Sequence, residues 1–263
     1  RWIVGIDGSS GARPALAWAS THADRLGVEL VSVNIDPSER AQVLSDQDAA
    51  DDGLLDPRGS SFKRSSHTGR SLLAAAEGAD LVVVGRHGTG GVWRNTIGSV
   101  GRYLVTHSTI PTVVVPVGVE PRREPERVVI GFDGSDNARA AVEWGVEFAS
   151  GTTAISVVAA LEIAPWLTTE VVELRLEAEL RAEEARLHEL LDEIDPRGRL
   201  EREIGVGSAR TMLARAAERA DLVVLGQRGA SGLTALVVGS VSTWMLDASP
   251  TPVAIVPRPA ISA

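Results

Sequence analysis

Cysteine is absent from the 263 residues of the chain, and lysine is nearly so. Without cysteine there can be no disulfide bonds, thiolate zinc sites, iron–sulfur clusters or cysteine nucleophiles. Lys63 is the single lysine, and no glycine precedes it. A P-loop needs a lysine directly after a glycine to contact phosphates, so the chain has no such loop. It also has no Gly-x-Gly-x-x-Gly after its first strand and no Gly-x-Ser-x-Gly elbow, which argues against a dinucleotide enzyme and a serine hydrolase.

Long apolar runs are missing as well. The longest, such as residues 81–84 and 112–115, fall far short of the roughly 20 residues that a membrane-spanning helix needs. We find no charged-then-apolar signal segment, and we expect a cytoplasmic protein that does not bind membranes. The formal net charge of −9 repels phosphate backbones, so we expect no nucleic acid as a partner.

One pattern occurs twice in the chain. Asp7 lies in Gly-Ile-Asp-Gly-Ser, and Asp133 lies in Gly-Phe-Asp-Gly-Ser. Further along each half, the spacing Gly-x2-Gly-x9-Gly-Ser begins at Gly85 and again at Gly226. The same motifs in the same order indicate one domain that has been duplicated. We place the two domains at residues 1–118 and 126–258.

Strands and helices alternate along both halves. Apolar runs that suit buried parallel strands occupy residues 2–6, 28–33, 81–84 and 111–116 of the first half, and 128–132, 154–160, 222–225 and 252–257 of the second. Helical patterns follow most of them. This alternation predicts an α/β fold in which helices cover both faces of an open parallel sheet.

Several local features refine this prediction. Residues 170–191 form a long amphipathic pattern that predicts a helix, whereas residues 37–61 predict loop or disorder. Ser9 and Ser135 are positioned to cap the first helix of each half. Trp18 and Trp144 occupy matching positions on those helices, and we expect them to pack in the core.

The motifs lie where such a sheet binds ligands, outside the carboxyl ends of its strands. Asp7 and Gly85 follow two strands of the first half, and Asp133 and Gly226 follow the matching strands of the second. Glycine allows the backbone to approach a ligand closely. The Gly-Ser pair can open the next helix, where amide groups and the helix dipole favour an anion. A phosphate chain would reach from one motif to the other.

These motifs together resemble the universal stress protein family in its tandem form, over nearly the whole chain. The resemblance implies two tandem open five-stranded parallel sheets with helices on both faces, in a Rossmann-like fold similar to that of the adenine nucleotide alpha hydrolases. It also implies that this chain binds ATP with Mg²⁺. Asp7 and Asp133 would lie near the ribose or the metal ion. Val33 would contact adenine, with Ala159 as its expected counterpart. The other residues that the resemblance places at the nucleotide are Gly5, Ile6, Gly85, Gly88, Gly98, Ser99, Val100, Gly131, Phe132, Gly226, Gly229, Gly239, Ser240, Val241 and Ser242.

Three functions remain open. The first is a regulatory ATP-binding protein of the stress response with little or slow hydrolysis. The second is an adenylating enzyme of a related fold, although residues 7–11 match its Ser-Gly-Gly-x-Asp-Ser loop only faintly. The third is a scaffold with degenerate sites, since glycines at strand ends are often only turn residues. The resemblance further implies that the two closing strands pair about a pseudo-twofold axis within the chain, and that two chains can form a homodimer.

Overall fold

The computed structural model describes residues 1–34, 62–64, 68–87, 96–161, 170–195, 198–229 and 238–258. Its strands are β1 (Trp2–Ile6), β2 (Leu30–Asn34), β3 (Phe62–Arg64), β4 (Leu81–Gly85), β5 (Thr112–Val115), β6 (Arg127–Gly131), β7 (Ala154–Leu161), β8 (Leu200–Val206), β9 (Leu222–Gly226) and β10 (Val253–Val256). Its helices are α1 (Ala12–Leu26), α2 (Thr68–Ala75), α3 (Ser99–His107), α4 (Asp136–Phe148), α5 (Glu170–Ile194), α6 (Ala209–Ala217) and α7 (Ser240–Ala248).

The described strands form one sheet in the order β3-β2-β1-β4-β5-β10-β9-β6-β7-β8. All pairs within a half are parallel. The halves meet where β10 runs antiparallel to β5, with Ala254 opposite Val113. The predicted α/β fold with five parallel strands per half is therefore confirmed. The two sheets are continuous, because each half covers the open edge of the other.

Helices cover both faces of this sheet, as predicted. Successive residues of a strand point to opposite faces, so Val128 and Ile130 of β6 join one core cluster and Val129 joins the other. The first cluster takes in the apolar sides of α1, α4 and α5, and the second takes in those of α2, α3, α6 and α7. Both clusters contain residues of both halves, so the core is continuous across the junction.

Stacked aromatic rings fill the junction on the face that carries α1 and α4. Trp18 stacks on Phe148 with ring centroids 5.6 Å apart, and Trp144 stacks on the same ring at 5.3 Å. Trp18 is fully buried, and Trp144 packs half-buried against the first core cluster. The prediction that both tryptophans pack in the core is confirmed.

The remaining elements differ from the sequence patterns mainly at their ends. Helix α5 extends three residues beyond the predicted end, to Ile194. Strand β2 begins at Leu30 instead of residue 28. The predicted loop at residues 37–61 lies outside the described residues. Among the described helices, none is both long enough and apolar enough to cross a bilayer.

Candidate functional site

A cleft of about 560 Å³ opens at the carboxyl ends of β6, β7 and β9. It lies where the strand order reverses between β6 and β9, which is the switch point at which open α/β sheets bind ligands. Nine of the ten residues predicted for the second half line it, and Ala159 is the exception. The full lining is Gly131, Phe132, Asp133, Ala138, Val158, Ala160, Ser208, Ala209, Arg210, Leu213, Leu225, Gly226, Arg228, Gly229, Gly239, Ser240, Val241 and Ser242.

The turn after β6 presents the carboxylate of Asp133 to the cleft. Gly134 turns the chain with a φ of 76°, and the amide of Ser135 donates to Oδ1 of Asp133 at 3.0 Å. Ser135 then caps α4, because its hydroxyl accepts from the amide of Ala138 at 3.2 Å. The cap predicted at Ser135 is confirmed, and one oxygen of Asp133 is fixed by the same turn.

Gly229 and Asp133 face each other across the cleft. A Cβ atom on Gly229 would lie 2.6 Å from Oδ2 of Asp133, so a larger residue here must displace the carboxylate. Gly239 is close by, since its own Cβ would lie 3.5 Å from the amide nitrogen of Gly229. Its amide donates to the carbonyl of Gln227 at 2.9 Å. These contacts hold the start of α7 against the loop that follows β9.

Gly226 is explained by packing as well as by the cleft. A Cβ atom there would lie 2.8 Å from the backbone carbon of Asn137 in the first turn of α4. Gly131 is similar, because a Cβ on it would overlap the side chain of Leu225. Both glycines thus let elements of the fold approach each other closely, so they have a packing role that does not depend on a ligand. Their backbones nevertheless line the cleft.

The wall at the end of β7 is apolar. Val158, Ala160 and Leu213 line it. Val158 pairs with Gly131 in the same register in which Val33 pairs with Gly5, so Val158 is the counterpart of Val33. The sequence expectation of Ala159 is wrong by one residue. The side chain of Ala159 points to the opposite face of the sheet and joins the other core cluster.

Ser242 is buried beneath the loop that follows β9. Its hydroxyl donates to the carbonyl of Gly226 at 2.9 Å, so its proton is used within the protein. The first half has Gly101 at this position, and a Cβ there would lie 3.0 Å from the side chain of Ile97. Ile97 thus fills the space that Ser242 occupies in the second half, and the two halves differ at this point of the motif.

The described residues predicted for the first half lie at the strand ends and the helix start that correspond to those of the second half. Gly5, Ile6 and Asp7 stand at the end of β1, Val33 near the end of β2, Gly85 at the end of β4, and Gly98, Ser99 and Val100 at the start of α3. The amide of Gly98 donates to the carbonyl of Arg86 at 2.7 Å, as Gly239 does to Gln227. Gly88 lies outside the described residues. The loop that leads into α1 differs from its counterpart.

That loop makes the cap predicted at Ser9 wrong. The helix begins two residues later than the α4 pattern suggests, with Gly11 as its N-cap and no side-chain cap bond. The amide of Ser9 still donates to Oδ1 of Asp7 at 3.0 Å. Gly11 packs so closely on the chain after β4 that its Cβ would overlap the carbonyl oxygen of His87.

Three polar residues of the cleft escaped the sequence patterns. Ser208 and Arg210 come from the start of α6, and Arg228 comes from the loop after β9. Ser208 is the N-cap of α6 but makes no side-chain bond to its helix. The signal that could have found it is its position, at a helix start that follows the edge strand β8. Arg228 lies between the two motif glycines, where the spacing leaves the residue type free.

An arginine of α5, Arg186, lies near Asp133 and forms an ion pair with Glu183. A Cβ on Gly134 would lie 2.7 Å from the guanidinium of Arg186, which places that group beside the turn. The hydrogen bond from Arg186 to Glu183 raises the pKa of the guanidinium, and the charge of Asp133 adds to the same effect. The turn after β6 therefore carries a carboxylate next to a permanent positive charge.

The donor set of the cleft fits Mg²⁺ only as a partner of phosphate. Among the described residues, no group of three or more histidine, cysteine or acidic side chains could hold a metal ion. Asp133 is the one carboxylate among the lining residues. Mg²⁺ is commonly bound by one or two carboxylates together with substrate phosphates and water, so Asp133 and a phosphate chain could hold it together.

A ten-stranded α/β sheet with a cleft at its switch point defines a Rossmann-like protein. Residues 62–116 and 125–257 match the model of the universal stress protein family, and these ranges make up most of the chain. The chain belongs to the universal stress protein family.

The chain is similar to several known proteins over nearly its whole length. A universal stress protein of Mycobacterium tuberculosis is 27% identical over 289 residues, which cover 96% of this chain and 95% of that protein. A functionally unknown protein of Pseudomonas aeruginosa PAO1 has a TM-score of 0.70 at 17% identity and covers 98% of this chain and 93% of its own. A universal stress protein of Archaeoglobus fulgidus has a TM-score of 0.63 at 17% identity, with 98% of each chain covered. At this identity the two structures support the fold alone.

Proposed function

We propose that the protein binds ATP in the second-half cleft and acts as a regulatory nucleotide sensor of the stress response. The observation that carries this proposal is the convergence of all nine motif residues of the second half on one cleft. Its volume of about 560 Å³ falls within the range usual for small-molecule sites. Membership in the universal stress protein family supports the regulatory role.

The lining of the cleft suggests how ATP lies in it. The apolar wall of Val158, Ala160 and Leu213 would hold the adenine ring. Asp133 would accept a hydrogen bond from the ribose or bind Mg²⁺. The phosphates would then reach Gly229 and the start of α7, where the first amides of a helix have no partner within the helix and favour an anion.

The same lining argues for slow hydrolysis. Among the described residues that line the cleft, none is a lysine or a histidine. Efficient phosphoryl transfer needs a positioned cation on the transferred phosphate and a group that orients the nucleophile. Arg210 and Arg228 could neutralise charge, but Asp133 would be engaged by the ribose or Mg²⁺. ATP occupancy, more than its turnover, would thus carry the signal.

We extend the proposal to the first half, since Asp7, Gly85 and Gly98 repeat the positions of Asp133, Gly226 and Gly239. Gly101 leaves this half without the bond that the hydroxyl of Ser242 makes to the carbonyl of Gly226. The two halves would act as an intramolecular dimer joined at β5 and β10. Association of two chains into a homodimer is a further part of this proposal.

Calorimetry with ATP and Mg²⁺ tests the proposal. We expect Asp133→Ala to lose binding in the second half, and Asp7→Ala to lose it in the first. Asp136→Ala is the matched control, because Asp136 lies in the same segment but pairs with Arg258 at 2.9 Å and does not line the cleft. Mass spectrometry of denatured protein would detect adenine nucleotide that is retained during purification. Wild-type protein that releases no heat with ATP would overturn the proposal.

A further inference from the structure

The second residue of each glycine motif reaches across the junction into the other half. Arg86 follows Gly85, and Gln227 follows Gly226. Both side chains are buried, with 8% of their surface exposed. Neither takes part in the cleft lining. Their hydrogen bonds go instead to the helices that begin at the Gly-Ser pairs.

Arg86 and the loop of the first site are held by the last turn of α7. The guanidinium of Arg86 donates to the carbonyl of Ser249, the C-cap of α7. Two residues before Ser249, Oδ1 of Asp247 accepts from the amide of Ile97 at 2.7 Å. Burial lowers the pKa of Arg86, and the charge of Asp247 opposes that shift, so the two groups are close. Ile97 directly precedes Gly98.

Gln227 makes the reciprocal contact. Its side-chain amide donates to the carbonyl of Val105 at 2.8 Å and to that of Thr106 at 3.3 Å. Both carbonyls belong to the last turn of α3, which begins at Ser99. The backbone of Gln227 accepts from Gly239 in the second cleft. Gln227 therefore joins the end of a first-half helix to the beginning of the second-half site.

Each of these helices spans from one candidate site to the other. Helix α7 starts in the second cleft and ends on Ile97 and Arg86 of the first half. Helix α3 starts at the first site and ends on Gln227 of the second. The buried sides of both helices pack in one core cluster, and close-packed interiors transmit strain. Strain at one end of either helix can therefore reach the other end.

We propose that the two nucleotide sites are coupled across the junction, with Asp247 and Arg86 as positioning residues of the first site and Gln227 as a positioning residue of the second. This coupling rests on the proposed binding of ATP. Phosphate bound at the start of α7 would shift that helix towards the phosphate. This shift would alter the hydrogen bond between Asp247 and the amide of Ile97. Coupling between sites is reciprocal in free energy, so ATP in the first half would alter the second to the same degree.

Hydrogen exchange of the Ile97 amide provides the test. In Asp7→Ala protein, which keeps only the second site, saturating ATP and Mg²⁺ should slow exchange at Gly239, because phosphate at the start of α7 would stabilise the bond from the Gly239 amide to Gln227. We expect it also to slow exchange at Ile97 by about 5-fold or more, the lower end of usual coupling factors. Adding Gly229→Val to this background blocks the second site, and the response at Ile97 should vanish.

Variants of Asp247 separate coupling from binding. Asp247→Ala should keep the protection at Gly239 and lose the response at Ile97. Asp247→Asn should keep both, because the amide oxygen still accepts from Ile97. The coupling is wrong if ATP protects Gly239 and leaves Ile97 unchanged, or if Asp247→Ala responds as wild type does; the proposed function survives either result. No protection at Gly239 would overturn the binding proposal and the coupling with it.

Discussion

The two halves of the chain have the same strand order and differ in the side chains that meet at their junction. Their strands have the same order and register, and a motif glycine ends β4 and β9 alike. At the junction, matching positions carry different side chains. Arg86 and Gln227 each donate a hydrogen bond to a backbone carbonyl at the end of a helix in the other half. His22 and Phe148 pack together in one aromatic cluster. The strand order repeats because both halves form the same parallel sheet. The side chains diverge because one continuous chain can have an asymmetric interface.

The matched tryptophans of α1 and α4 give the largest expected difference. Trp18 is 1% exposed and stacks between Trp2 and Phe148, whereas Trp144 is half-buried. We expect Trp18→Ala to lower the free energy of unfolding by about 3–5 kcal/mol, the usual cost of deleting a buried tryptophan. Trp144→Ala should cost less than half as much. Urea denaturation measures both, and equal losses would contradict the asymmetry of the junction.

Gly229→Val should remove ATP binding from the second half. Its Cβ would lie 2.6 Å from Oδ2 of Asp133, and the branched side chain would extend into the cleft. We expect affinity to fall by about 100-fold or more at this site, which is about 2.7 kcal/mol. Gly151→Val is the control, because nothing lies within 4 Å of a Cβ at Gly151. Calorimetry that finds unchanged affinity in Gly229→Val would place the phosphates elsewhere.

His22 gives the first half a pH dependence that Phe148 cannot give the second. Burial lowers the pKa of His22 to about 3, with help from the charge of Arg25. Below the ordinary histidine pKa of about 6.5 the unfolded chain takes up a proton that the folded protein does not, so stability falls as pH falls. From about pH 7.5 to about pH 5 we expect a loss of about 2 kcal/mol from this group.

His22→Phe should remove that loss. Among the described residues, Nδ1 of His22 has no hydrogen-bond partner, and the ring lies 4.5 Å from Trp18 and 5.1 Å from Phe148. An apolar ring therefore fits the surroundings. Urea denaturation at both pH values would show a smaller difference in the variant than in wild type. The same difference in both proteins would assign the pH dependence to other groups.

Helix capping gives the smallest difference between the halves. Ser135 caps α4, whereas Ser9 makes no cap on α1. We expect Ser135→Ala to cost about 1 kcal/mol of stability, the usual value for a lost N-cap. Ser9→Ala should change stability by only a few tenths of that. Thermal unfolding of the pair checks this, and a larger loss for Ser9→Ala would contradict the observed helix start.

Local patterns in the sequence predict the strands, the helices and the motif residues of the second-half cleft, because each of these depends on residues close in the chain. A strand followed by a glycine turn and a helix identifies Asp133, and a fixed spacing identifies Gly229 and Gly239. Contacts between distant segments leave no such pattern. The register that selects Val158 over Ala159 arises from pairing with β6, and the contribution of Ser208 arises from how α6 meets the sheet.

The contacts between the two halves are even harder to predict from local sequence patterns. Arg86 and Gln227 sit at a variable position of the motif, and nothing local marks them as buried. Their partners are backbone carbonyls of helices in the other half, and any residue type can provide a carbonyl. Likewise, nothing local marks the close packing of Gly11 on His87, two segments far apart in sequence.

A crystal structure of the protein soaked with ATP and Mg²⁺ tests the central claim most directly. We predict adenine against Val158 and Ala160, the metal ion beside Asp133, and the phosphates between Gly229 and the amides that open α7. A second-half cleft that stays empty at saturating ATP, or nucleotide bound only at a surface outside the two proposed sites, would contradict the assignment.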